Sequence, residues 1–198
     1  MHGYFGIWKG FYMTIEKMKE KTLSLLGTAE VESSLLLAAL DFVAKKVAVQ
    51  AKSIKKRAKL VFTQNTGAAE AVLPEDFAAF GYVSGGRCVY SRSAFEIFSG
   101  KISSRRIGAG TYELVYFAYP PDINETCPTE TELGFDDYTA DTVVYGAAME
   151  LCISACPEDL ARYARLATEY DGRMANILGA ARDAAGVANT FFVGRGII

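Results

Sequence analysis

Apolar residues recur at three- or four-residue steps toward both ends of the chain and crowd into short extended runs between them. Residues 14–26 place Ile15, Met18, Thr22 and Leu25 on one helical face, with Thr14 as the N-cap and Gly27 where a C′ glycine belongs. Residues 32–56 predict the longest helix, striped by Leu36, Leu40, Val43, Val47 and Ile54. Its far end is basic (Lys52, Lys55, Lys56, Arg57, Lys59), where cations would complement the negative end of the helix dipole. A further helix is expected from Asp136 to Ala155 and is broken by Cys156-Pro157. Pro157 fits the first position of the last helix, which carries Leu160, Tyr163, Leu166, Tyr170, Met174, Ile177 and Leu178 on one face. These last two helices make an αα-hairpin.

The middle of the chain reads as strand. Residues 59–63 and 88–90 are short strand candidates, and residues 94–98 and 101–107 flank Ser99-Gly100, a hairpin signal. Leu73-Pro74-Glu75-Asp76-Phe77 is a proline-led turn. Residues 111–119, apolar on nearly both sides, form a strand that Pro120-Pro121 stops. The fold class is therefore α+β, with helices at both ends and a small antiparallel sheet between them.

Charge adds an asymmetry that the net value of −2 conceals. Residues 1–60 carry 11 Lys/Arg against 5 Asp/Glu, whereas residues 111–150 carry 9 Asp/Glu and no Lys or Arg. Such a polar-ended chain suits contacts between copies, or with partners of opposite sign. Chemistry finds little support. The one histidine is His2, so histidine-based triads and His-rich metal sites are excluded in practice. Cys88, Cys127, Cys152 and Cys156 include no C-x-x-C pair and read as reduced, buried small hydrophobes. Ser84-Gly85-Gly86-Arg87 lacks the lysine of a phosphate loop. Glu130, Glu132, Asp136, Asp137 and Asp141 match no calcium-loop spacing and read first as an acidic surface. The basic run has no interleaved aromatics for stacking on single-stranded nucleic acid. No catalytic residue, metal or cofactor is expected, nor a secretory signal or membrane span.

The order of several strings carries a resemblance. Leu73-Pro74-Glu75-Asp76-Phe77 is followed by Gly110-Thr111-Tyr112-Glu113-Leu114-Val115-Tyr116-Phe117-Ala118-Tyr119-Pro120-Pro121 and by an acidic loop ending near Leu133. Tyr145-Gly146-Ala147-Ala148-Met149-Glu150-Leu151 and Tyr170-Asp171-Gly172-Arg173-Met174 come after it. Over about residues 14–180 the chain resembles the head–tail adaptor (connector) proteins of tailed bacteriophages, in the variety with a β-domain inserted into a helical bundle. The resemblance implies a helical bundle from residues 14–56 and 136–185, an inserted β-domain with its acidic loop from 57–135, and an extended docking tail from 186–198. Residues 1–13 stand outside it, either as a flexible arm or as an extension upstream of a start at Met13.

The function implied is structural: a ring, typically a dodecamer, made in the host cytoplasm and seated in the virion at the capsid–tail junction. The ring would bind the portal above and tail or stopper proteins below. DNA would pass through its channel without sequence-specific binding, and no membrane is involved. By segment position, Phe191, Phe192, Arg195, Ile197 and Ile198 would dock on the portal. Glu130, Glu132, Asp136, Asp137 and Asp141 would form a channel or inter-subunit acidic surface, and Lys52, Lys55, Lys56 and Arg57 an inter-subunit basic one. A stopper or tail-completion protein is the alternative, and a small enzyme the more distant one.

Overall fold

The structure, a computed structural model, describes residues 13–27, 30–65, 67–86 and 88–193, with side chains up to residue 182. It is α+β, and the chain divides into two compact units: Met1–Ala44 with Asp122–Ala180, and Lys45–Pro121 with Ala181–Ile198.

The first unit is helical. In α1 (Ile15–Leu26), the Thr14 hydroxyl accepts from the Lys17 backbone N–H at 3.4 Å. Gly27 closes the helix in the left-handed region (φ 66°), and its N–H reaches the Leu23 and Ser24 carbonyls. Leu26 rather than Leu25 completes the buried face with Ile15, Met18 and Thr22, because the last step along that face is four residues. In α3 (Asp137–Ala155), the Asp136 carboxylate caps the Thr139 N–H at 2.8 Å. Gly146 of α3 lets α2 (Ser33–Ala51) and α4 (Leu160–Val193) approach: a Cβ there would lie 2.6 Å from Val43 Cγ1 and 2.8 Å from Tyr170 Cε2.

α4 spans Leu160–Val193. It starts later than expected: Pro157 and Glu158 form a turn, and the Asp159 carboxylate caps the Arg162 N–H at 2.8 Å. Leu160, expected on the apolar face, is correspondingly 75% exposed, while Leu166, Tyr170 and Met174 are buried. The helix also continues through the expected tail, which is helical as far as Val193 rather than extended from residue 186. One glycine inside a helix costs only about 1 kcal/mol relative to alanine, and Gly186 lies in an alanine-rich run.

The acidic loop belongs with the helices, not with the β-domain to which its position in the sequence assigned it. Ile123, Leu133 and Phe135 are buried. The carbonyls of Thr131 and Thr129 accept the N–H groups of Ile15 and Glu16, each at 3.2 Å, supplying partners that a first helical turn lacks. The Asp41 carboxylate of α2 accepts the Ile123 N–H at 2.9 Å.

The second unit contains seven antiparallel strands in the order β4-β3-β7-β1-β2-β6-β5. They are β1 (Lys55–Asn65), β2 (Ala68–Val72), β3 (Phe77–Gly85), β4 (Cys88–Tyr90), β5 (Glu96–Phe98), β6 (Lys101–Ser104) and β7 (Gly110–Ala118). α2 (Ser33–Ala51) therefore stops five residues short of the expected Lys56. It ends with Lys52 in the left-handed region (φ 50°) and the Ser53 N–H on the Ala48 carbonyl, a Schellman closure. The basic run beyond it is strand rather than helix end. Ala58, Leu60 and Phe62 turn inward while Arg57, Lys59, Val61 and Thr63 turn outward, which is strand alternation. The Ser99-Gly100 hairpin has both turn residues at positive φ (49° and 73°), as a two-residue type I′ turn requires.

The strand order forces the sheet to curl. Edge strands β4 and β5 are consecutive in sequence, and Tyr90 to Glu96 is six Cα steps, about 20 Å at most when fully extended. A flat sheet of seven strands at about 4.8 Å spacing would hold its edges about 29 Å apart. The sheet closes instead over Leu60, Phe62, Ala69, Ala71, Val83, Ile102, Leu114 and Tyr116. Phe95, in the link between the edges, has its ring 6.2 Å from Phe62, 5.5 Å from Phe80 and 6.3 Å from Tyr90.

Candidate interaction surfaces

The four basic residues singled out from the sequence do not make one surface. Strand alternation puts Lys55 and Arg57 on the outward face of β1 and Lys56 on the other. Lys56 Nζ donates to Asp76 Oδ2 at 2.6 Å, and the Tyr116 hydroxyl donates to Oδ1 of the same carboxylate at 2.9 Å. Burial raises the Asp76 pKa, but the bonds from Lys56 and Tyr116 outweigh it and leave the group below the usual carboxylate value. Burial, with the Asp76 bond and charge, pushes the Tyr116 phenol up to about 12. Arg57 Nη1 is 3.3 Å from Glu113 Oε1 on β7, and Lys52 Nζ lies 5.7 Å from the centre of the Phe117 ring. These contacts orient the side chains locally; exposed pairs of this kind contribute at most about 1 kcal/mol each.

The five acidic residues all lie in the helical unit. Asp136 caps α3, and Asp141 is paired with Lys21 of α1 at 2.7 Å. Glu132 forms an isolated backbone bridge with Thr14. The side chains of Glu130, Glu132 and Asp137 are exposed with no ion-pair partner among the described residues. Arg195, Ile197 and Ile198 lie outside the described residues. Phe191 and Phe192 fall within α4, but their side chains lie outside the described ones.

Two features emerge only from the fold. The first is a set of exposed apolar residues on the outward face of the sheet. Val72 of β2 pairs with Lys101 of β6, and Lys101 pairs with Phe98 of β5. Val61 of β1 also faces outward, two residues before Thr63, where the pairing of β1 with β2 begins. Val61, Val72 and Phe98 are 63%, 71% and 85% exposed. Toward β7 the outward face changes character, and Val115 there is buried. The second feature is charge by unit. The helical unit holds 7 basic and 17 acidic residues, net −10, and the second unit, in which the end of α2 and residues 181–198 are counted with the strands, 14 basic and 6 acidic, net +8, together the chain's −2.

The remaining candidates for chemistry are modest. The four cysteines are free; Cys152 and Cys156 are buried as expected, but Cys88 is exposed and Cys127 half-buried. Both exceptions lie where little covers them, Cys88 at the start of an edge strand and Cys127 in the acidic loop. Burial raises the Cys152 thiol above its ordinary pKa, which disfavours the thiolate. A groove of about 470 Å³ is lined by Tyr138, Glu169, Arg173 and Asn176. Its cation is stacked over the Tyr145 and Tyr138 rings at 4.4 and 5.3 Å, which ties α4 to α3. Among the described residues there is no group of three or more His, Cys, Asp or Glu placed to hold a metal, and no helix long and apolar enough to cross a membrane. In comparisons with known proteins, the chain matches no family model and no curated protein.

Proposed function

We propose that this chain is a structural virion protein, a head–tail adaptor whose copies form a ring between the capsid portal and the tail and surround the DNA channel. The observation that carries the reading is the architecture. A helical unit made of α1, α2 as far as Ala44, α3 and α4 as far as Ala180 is interrupted in sequence by a unit that holds the curled antiparallel sheet, the arrangement that the resemblance of residues 14–180 implies. Opposite charges of −10 and +8 on the two units add to it, since repeated contacts between identical copies can use both surfaces at once. No reaction and no cofactor is assigned. The portal and the tail proteins are the partners, and the genome passes through without base-specific contacts.

The test is the mass distribution of the purified chain, alone and mixed with its candidate portal, by mass photometry. A discrete ring-sized species that needs the portal, and is lost when residues 187–198 are deleted, is the expected result. A chain that stays monomeric in the presence of the portal overturns the adaptor reading. A ring that binds tail protein but not portal reassigns the chain as a stopper or tail-completion protein.

A further inference from the structure

We infer that the open edge of β1, residues 55–60, takes an extended acidic segment of a partner protein as an added strand. The inference stands apart from the ring reading above. β1 pairs with β7 from Lys55 to Phe62, but on its other side it pairs with β2 only from Thr63 to Asn65. Continued at the same register, β2 would come level with Val61 at its last residue, Val72, and there it ends. The Leu73 N–H turns to the Gly100 carbonyl, and Pro74, which has no N–H to give a ladder, follows. Beyond the β7 ladder, no backbone hydrogen bond reaches residues 55–60 among the described residues. About 20 Å of strand is therefore paired on one side only. The link from β2 to β3 brings Asp76 to the inward face, where Lys56 and Tyr116 hold it. The outward face of the edge stays open, with Lys55, Arg57 and Lys59 all exposed.

Charge selects the occupant. β1 carries four cations and no acid along its whole length. Two acids meet the open stretch: Glu113 of β7, opposite Lys59 and 3.3 Å from Arg57, and Asp76, 2.6 Å from Lys56. Glu70 lies beyond it, opposite Thr63. Lys55 and Lys59 have no ion-pair partner among the described residues. A second copy's β1 would set the same cations against these, which is how lysine-bearing edges avoid pairing with themselves. The acid-rich segment of this chain, residues 122–137, is engaged with α1 and α2 through the Thr129 and Thr131 carbonyls and the Ile123 N–H, so it is not available as a loose strand. The occupant is therefore another protein's chain. Ladder bonds along residues 55–60 hold its backbone, and strand alternation sets its side chains. Acids at every second residue face Lys55, Arg57 and Lys59, and apolar residues between them lie beside Ala58 and Leu60. Nucleic acid would satisfy the cations but would leave the backbone edge unpaired.

The experiment titrates a fluorescent peptide of alternating Glu and Val with the full chain and follows its anisotropy. Two comparison peptides separate backbone from charge. One is the same sequence N-methylated at its amides, which keeps every charge and removes the ladder donors; the other alternates Lys and Val. The Glu–Val peptide is expected to bind at least tenfold more tightly than either. The pair Lys55→Glu/Lys59→Glu is expected to weaken it at least tenfold and to strengthen binding of the Lys–Val peptide by a similar factor. Both lysines are exposed, so folding is preserved and is checked by circular dichroism. Equal binding of the N-methylated peptide overturns the added strand, because charge alone then accounts for the contact. No binding of the Glu–Val peptide, or unchanged binding in the paired variant, overturns the site. So does a DNA duplex that binds the natural chain and is not displaced by the peptide. Self-association of the natural chain that is lost in the paired variant overturns the choice of partner and assigns the edge to a second copy.

Discussion

Replacing Gly146 by alanine should destabilise the helical unit, against the ordinary rule for a helix interior. The rule follows from backbone entropy: alanine is better than glycine by about 1 kcal/mol at such a site. At Gly146 the added methyl would lie 2.6 Å from Val43 Cγ1 and 2.8 Å from Tyr170 Cε2, where carbon atoms settle at about 3.5–4.0 Å. Val43 and Tyr170 are themselves buried, and a close-packed neighbour cannot retreat by about 1 Å on both sides without moving a helix. Overpacking of this kind costs about 1–3 kcal/mol, and two simultaneous overlaps argue for the upper part of that range. The net expectation is about 2 kcal/mol of destabilisation. The internal control is Gly172→Ala on α4, where a Cβ meets nothing within 4 Å; the same chemical change should there stabilise by about 1 kcal/mol. Urea unfolding followed by helical circular dichroism measures both. With an m-value of about 1–3 kcal/mol/M, the midpoints should separate by about 1 M or more. Adding Val43→Ala should recover part of the Gly146→Ala loss by opening space on one side. Equal stabilisation by the two glycine replacements would refute the close approach of α2 and α4 across α3.

Other expectations follow from local geometry. Gly100→Ala, at φ 73°, should cost about 1 kcal/mol in thermal unfolding of the β unit, whereas Ser99→Asn, at φ 49°, should be neutral or slightly stabilising. Tyr116 ionises at about 12 in the folded chain against about 10 when unfolded, so its contribution to stability is complete below pH 10 and is lost as pH rises toward 12. In a titration at 295 nm, Asp76→Asn should lower that ionisation while leaving it above 10, because burial is its largest cause. The folded Asp76 value lies below the unfolded one, so its contribution is present above about pH 4 and fades as pH falls through the folded value. In Asp76→Asn that part of the acid-side decline, read by unfolding midpoints, should disappear.

What was legible in the sequence was local, and what was not depended on distant partners. Thr14 and Gly27 bound α1, Asp136 caps α3, and Ser99-Gly100 makes its hairpin, because each satisfies its own neighbours in the chain. β2 was hidden because Ala68-Ala69-Glu70-Ala71-Val72 has no strong strand former before its last residue. β3 was hidden because irregularities between Phe77 and Ala79 and between Phe80 and Tyr82 break the two-residue period. The Lys-rich start of β1 continued the preceding helical stripe well enough to be read as more helix, and only the pairing of Lys55 to Phe62 with β7 settles it as strand. The exposed apolar residues of the outward face had no signature at all, since Val72 and Phe98 come to one face only through their pairings with Lys101.

The charge of each unit constrains how copies could meet, independently of any particular side chain. The sequence blocks of opposite sign, residues 1–60 and 111–150, each straddle the boundary between the units, so the contrast of −10 against +8 emerges only once the fold has sorted them. A two-fold symmetric contact through the β units would set +8 against +8, and one through the helical units −10 against −10. Both arrangements gather like charge at distances shorter than the screening length of about 10 Å at 0.1 M salt. A contact of β unit on helical unit relieves both charges, and it is heterologous unless one two-fold dimer makes it reciprocally. Identical copies joined that way close into a ring when the rotation per copy divides a full turn, and otherwise run on as a filament. Salt should therefore weaken association, while it should help a symmetric dimer of like-charged faces. The sign of that single dependence separates contact between unlike units from contact between like units before any variant is made.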